Sequence, residues 1–111
     1  MKNNMFKKND QDKPDFTQIP QEALLEVAKV FTFGGNKYNN HFNYSEGGEL
    51  RRYVAAANRH INQWLRGIDN DEETDTNHLS NAIASLMMAL DNVKTGKGVD
   101  NRNKSYNRKN E

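Results

Sequence analysis

Asp69, Asp71, Glu72, Glu73 and Asp75 form an acidic run that leads directly into a helical pattern with His78 near its start. Carboxylates beside an imidazole, held by a helix end, can bind a divalent cation or position a water. Asp71, Glu72 and Glu73 are the candidate metal ligands, and Glu73 and His78 are the candidate groups for chemistry. A plainer origin exists, because acidic side chains are favourable at a helix N-terminus without any metal. A second imidazole, His60, falls on its helix beside Tyr53, Ala57 and Trp64, at the edge of an apolar stripe. It reads either as a third chemical group or as a core-edge histidine bonded to a neighbour. Arg59 falls on the opposite face, toward solvent or a partner subunit.

Two further sets of residues could recognise a ligand. His78, Ala82, Ser85 and Ala89 share one strip at helical spacing, flanked by Asn81. Small and polar residues there permit close helix approach or leave room for a bound molecule. The stretch 33–44 combines Gly35, Lys37, Tyr38, His41, Phe42 and Tyr44. Lysine is a point charge for phosphate and the aromatic rings can stack on a base. The spacing is not that of a P-loop. Glu22 and Glu26 stand at i, i+4 but lie opposite Leu24 and Val27, so they read as a solvated face.

Three helices must position these groups. The first is predicted from Pro20 to Phe33, with Gly34 and Gly35 as its stop and Leu24, Val27, Ala28 and Phe31 on one face. The second is predicted from Gly48 to Arg66, capped by Ser45 and ended by Gly67. Its stripe is Leu50, Tyr53, Val54, Ala57, Ile61, Trp64 and Leu65. The third is predicted from Thr76 to Thr95, capped by Asp75 or Thr76 and ended by Gly96. Leu79, Ile83, Leu86, Leu90 and Val93 form its stripe. No segment alternates with period two, so the fold class is all-α: a small bundle of three main helices.

Composition limits what such a bundle can do alone. Of 111 residues, 34% are apolar and 28% charged. That is too lean for a large private core, and small domains are marginal to begin with. The three helices are therefore expected to be completed by a second copy. Residues 1–12 read as a flexible arm, 13–95 as the helical domain and 96–111 as a flexible basic tail. The net charge of +1 argues for neither nucleic acid nor membrane, and Tyr106 is the one stacking surface in the tail. Without cysteine there is no disulfide, thiolate site or cysteine nucleophile. No run reaches the length of a membrane span or a signal peptide, so a cytoplasmic protein is expected.

Several segments taken together resemble a known family. Lys13-Pro14, Ile19-Pro20, Ala23-Leu24, Val27 to Phe31, Phe33-Gly34 and Lys37-Tyr38 are followed in order by Tyr53, Ala56-Ala57, Arg59-His60, Trp64, Arg66-Gly67, Asp71, Glu73 and His78-Leu79. This order resembles the phage dATP/dGTP diphosphohydrolase-like family, within the all-α, MazG-like pyrophosphohydrolases, across residues 13–93. The resemblance implies a helical bundle, assembled as a dimer or tetramer, that hydrolyses a purine deoxynucleoside triphosphate to the monophosphate and pyrophosphate with Mg²⁺. It would do so in a phage-infected or prophage-carrying bacterium. By the same resemblance Lys37, Tyr38 and Arg59 would contact substrate, and His60, Glu73 and His78 would serve the chemistry; Asn81 joins the substrate-contacting candidates from its place beside the small-residue strip. Three positions depart from the pattern: Asn81 stands where a second histidine is usual, Phe42 where tryptophan is usual, and Ile68 where an acidic residue is usual. The paired glutamates of the broader superfamily are not recognisable. Two other readings follow from these residues. One is a binding protein that sequesters a nucleotide defence signal without breaking it down. The other is a structural helical protein that docks a partner through Ala55, Ala56 and Arg59.

Overall fold

The computed structural model describes residues 9, 11–38 and 42–106, with the backbone alone described for 35–38. Among them are three α-helices: α1 (Gln21–Tyr38), α2 (Leu50–Leu65) and α3 (His78–Thr95). No strand occurs among the described residues, only isolated bridges between Glu49 and Val99 and between Asn70 and Asn77. The all-α expectation holds, and each helix lies where apolar spacing placed it. The helix ends differ from expectation in three instructive ways.

First, α1 does not stop at Phe33 but continues through Gly34 and Gly35 to Tyr38. Interior glycine costs a helix about 1 kcal/mol. Glycine lowers helix propensity without forbidding the conformation, so the stop that Gly34 and Gly35 offered is not taken. Second, Ser45 does not cap α2. Its hydroxyl donates to Phe42 O at 2.6 Å within a 3₁₀ turn over Asn43–Glu46. The first free N–H groups of α2 are met instead from far along the chain. Leu50 N donates to Val99 O at 2.9 Å and Arg51 N donates to Asn101 Oδ1 at 3.1 Å. The segment after α3 thus returns to cap α2, a long-range contact that leaves no local sequence signal. Third, the cap of α3 is Asn77, whose Oδ1 accepts from Leu79 N at 2.7 Å. Asp75 is two residues too early and sits in left-handed backbone at φ 58°. Gly96 ends α3 in the left-handed conformation, as expected.

α3 is the central element, packed along α2 and against α1. The face it buries is not the leucine stripe. Leu79, Ile83, Leu86, Leu90 and Val93 are all exposed, whereas His78, Ser80, Ala82, Ser85, Ala89 and Asn92 are buried. Small side chains let the helix backbones approach closely, and the bulky stripe is left on the outside. Val54, Ile61, Trp64 and Leu65 of α2 are likewise exposed, and Leu50 and Ala57 carry the burial there. Asn92 is fully buried and donates through Nδ2 to Met88 O at 2.9 Å and Tyr44 O at 3.4 Å. The turn that Tyr44 belongs to is also held by an edge-on contact of its ring with Phe31, 5.6 Å between centroids.

One glycine in the approach to α2 is required. Gly47 has φ 89°, and a Cβ built there would lie 2.5 Å from Lys97 O. Gly47→Ala is expected to cost about 1–3 kcal/mol through left-handed strain plus that clash. Urea unfolding followed by circular dichroism checks the value.

No helix of the described residues is long and apolar enough to cross a membrane.

Candidate functional site

The connection between α2 and α3 is built to hold one carboxylate. Asp71 N donates to Thr76 O at 2.8 Å, and Asp75 N donates to Asp71 O at 2.8 Å, which closes the acidic run into a compact turn. Asp71 Oδ1 accepts from Glu73 N at 2.8 Å and from Thr74 N at 3.2 Å. The turn is anchored to α3 because His78 N donates to Asp69 O at 2.8 Å. A carboxylate tied into its own turn has a fixed direction, which a solvated acidic loop lacks.

That carboxylate lies with two imidazoles. His60 comes from α2, His78 from the first position of α3, and Asp71 from the turn between them. One ligating atom from each lies within 4.8 Å of the others. The Nδ1 atoms of His60 and His78 are 2.9 Å apart. His78 is only 5% exposed, and Asp71 and His60 are half-buried. Burial lowers the His60 pKa below the ordinary imidazole value, with the charge of His78 and then Arg59 acting in the same direction and Asp71 opposing. At neutral pH His60 is therefore an uncharged base with a lone pair to offer.

The cluster opens onto two depressions. One, of about 440 Å³, is lined by Arg59, His60, Gln63, Ile68, Asp71, Glu72, Glu73 and His78. The other, of about 370 Å³, adds Val30, Phe33 and Gly34 of α1 with Thr74, Thr76 and Asn81. Arg59, His60, Asp71 and Glu73 line both. Each volume falls in the range of small-molecule sites. Gly34 helps to form the second depression, since a side chain there would meet nothing within 4 Å.

The candidate residues thus divide. His60, Asp71 and His78 meet directly. Arg59, Glu72 and Glu73 stand exposed on the rim, and Arg59 turns its side chain to the cleft rather than away from it. Asn81 lines the α1-side depression, but its amide is committed to the turn: Nδ2 donates to Thr76 Oγ1 at 2.8 Å and Asn77 O at 2.9 Å. The side chains of Lys37 and Tyr38 lie outside the described residues. Sequence reading missed Thr76, which is buried and bonds to Thr74 Oγ1 at 2.6 Å. His60 and His78 were expected to serve one site, but their direct contact within a single chain was not foreseen, because helical periodicity carries no information across a twelve-residue connection. Ile68, singled out as a departure, supplies an apolar wall. Asn81→Ala is expected to cost about 0.5–1.5 kcal/mol, because it removes the amide bond to buried Thr76 Oγ1, whereas Asn77 O keeps Ser80 Oγ and Asn81 N as donors. Faster amide exchange at Asp71 and Thr74 would report the loosened turn.

A resident Mg²⁺ does not fit the buried donors. Magnesium prefers an all-oxygen shell, and here two of three donors are imidazole nitrogens.

Comparison with known proteins gives two matches. A family model described as dATP/dGTP diphosphohydrolase, N-terminal, matches residues 3–102. A dATP/dGTP diphosphohydrolase of Salmonella phage PMBT28 is 32% identical over 80 residues, covering 72% of this chain and 27% of that protein. The chain spans about a quarter of the length of that relative. No solved structure matches.

Proposed function

We propose, from the premise that the chain belongs to the dATP/dGTP diphosphohydrolase N-terminal family, that its cleft takes a purine deoxynucleoside triphosphate and releases the monophosphate and pyrophosphate. The observation that carries this reading is the convergence of His60, Asp71 and His78, from three separate elements, beside an exposed arginine and two exposed glutamates. A triphosphate needs charge neutralisation, a positioned water and a cavity of nucleotide size. Arg59 supplies a planar fork of donors for phosphate oxygens. Glu73, shared by both depressions, orients the attacking water and accepts its proton. The water oxygen bonds to the α-phosphorus as the bond from that phosphorus to the α–β bridging oxygen breaks, and pyrophosphate leaves with the electron pair. Mg²⁺ enters with the triphosphate, as part of the substrate, and Glu72 with Glu73 offers it oxygen donors at the rim. Lys37 and Tyr38 are assigned to phosphate and base, and Asn81 to the wall that the nucleotide meets on the α1 side.

The test is product analysis. The protein is incubated with each of the four dNTPs and Mg²⁺, and the mixture is resolved by ion exchange. Equal amounts of dNMP and pyrophosphate from dATP or dGTP are expected. Recovery of every nucleotide intact, with Mg²⁺ alone and with Mn²⁺, Co²⁺ or Zn²⁺ added, would overturn the reading.

We further propose that two copies pair through the exposed stripe of α3. Leu79, Ile83, Leu86, Leu90 and Val93 recur at intervals of four, three, four and three, the spacing of a coiled-coil seam. The stripe adjoins an apolar groove of about 470 Å³ between α2 and α3, which Val54 and Val93 both line. A second copy of the same helix presents matching residues to that surface.

A further inference from the structure

We infer that His60, Asp71 and His78 form a resident site for one borderline divalent transition ion, of the Zn²⁺ class, in the floor of the cleft. The inference rests on the same cleft as the hydrolytic reading and deepens it, and the outcomes below separate the two. Three features support a built metal site over a chance cluster. The donors come from α2, from the connection and from α3, so the fold itself brings them together. The carboxylate is preoriented: one oxygen of Asp71 holds Glu73 N and Thr74 N, as outer hydrogen bonds commonly fix a ligand's direction. The imidazole nitrogens at 2.9 Å lie close to the separation of roughly 3.3 Å that two nitrogens adopt around tetrahedral zinc. A hydrogen bond between two neutral imidazoles also accounts for that distance. It does not account for a fixed carboxylate brought to the same point.

Ligand chemistry selects the ion. Two nitrogens and one oxygen are too soft a set for Mg²⁺ or Ca²⁺ and suit Zn²⁺, Co²⁺ or Mn²⁺. Three protein ligands leave further coordination positions open toward the cleft, as in sites where a metal handles water or substrate. Glu72 and Glu73 are exposed on the rim and are not needed for the site.

The experiment uses the full chain, stripped with chelator, dialysed and titrated with Co²⁺ while the visible d–d bands are recorded. One equivalent per chain is expected, with the bands lost on addition of Zn²⁺. His60→Ala and Asp71→Asn are each expected to weaken Co²⁺ binding by at least about 100-fold, with Glu72→Gln within about threefold of the parent. Circular dichroism confirms that each variant is folded. His78 is left intact because it is buried at the α2–α3 contact. Absence of saturable binding in the folded parent, or equal binding in folded His60→Ala, would overturn the inference and leave a hydrogen-bonded imidazole pair in its place. Saturable Co²⁺ binding without pyrophosphate release under any metal supports this site and removes the hydrolytic reading. Pyrophosphate release by stripped protein in Mg²⁺ alone, with no Co²⁺ bound, does the reverse.

Discussion

Arg59→Ala is expected to lower pyrophosphate release from the preferred purine dNTP by about 10²–10³-fold. The size of the effect follows from where charge builds. As the α–β bond breaks, negative charge moves onto the departing pyrophosphate, and donors aimed at that charge act in the transition state more than in the ground state. Arg59 is the one cation lining both depressions among the described residues. Its side chain is exposed, so removing it leaves the α2–α3 packing intact and the folded content unchanged. The loss should therefore appear mainly in kcat. If KM alone rises, Arg59 only anchors the ground state. Arg59→Lys should recover a small part of the rate, since an ammonium keeps the charge but not the two-pronged geometry. Activity of Arg59→Ala within about threefold of the parent would place the reacting phosphates elsewhere in the chain.

The same site shows which parts of the molecule can be read locally. The helices were legible because apolar spacing and glycine stops are properties of neighbouring residues. His60 and His78 were legible as candidates because the chain has 3 histidines, and Asp71 because it stands in the acidic run before α3. That the two imidazoles serve one site was expected, but the geometry that puts Asp71 beside them was not legible. It depends on a turn whose geometry is set by Asp71 bonding to its own successors and by Thr76 bonding to Asn81, five residues on. The cap of α2 was hidden for the same reason, since Val99 and Asn101 lie about fifty residues from the N–H groups they satisfy. The two faces of α3 were read unequally: the strip of Ala82, Ser85 and Ala89, whose spacing pointed to close helix approach, is buried, whereas the leucine stripe that hydrophobicity favoured stays exposed. A helix with two usable faces offers its small residues to the neighbour it must approach most closely, and its large ones remain for another surface.

That second surface gives the other large effect. Leu86→Glu combined with Leu90→Glu is expected to convert the proposed dimer to monomers. Leu86 is 46% and Leu90 60% exposed in the single chain. Burial of a leucine side chain contributes about 1.5–3 kcal/mol. A two-fold interface repeats both positions, so four of the ten apolar positions that two copies of this stripe bring together are lost. The seam from Leu79 to Val93 is about 21 Å long at 1.5 Å per residue, and these two leucines occupy its central and C-terminal turns. Four introduced carboxylates facing one another across the axis add repulsion on top of the lost burial. The dissociation constant should rise by at least about a thousandfold, read as a fall in mass by sedimentation velocity. The parent's melting temperature should rise with protein concentration, and that dependence should vanish in the variant. Helical circular dichroism should persist at low temperature, because neither leucine takes part in the buried face of α3. A parent that sediments as a monomer at every concentration, or a variant that keeps the parent's mass, would show that α3 does not pair with itself. The stripe would then have to be covered by something other than a second copy of this chain.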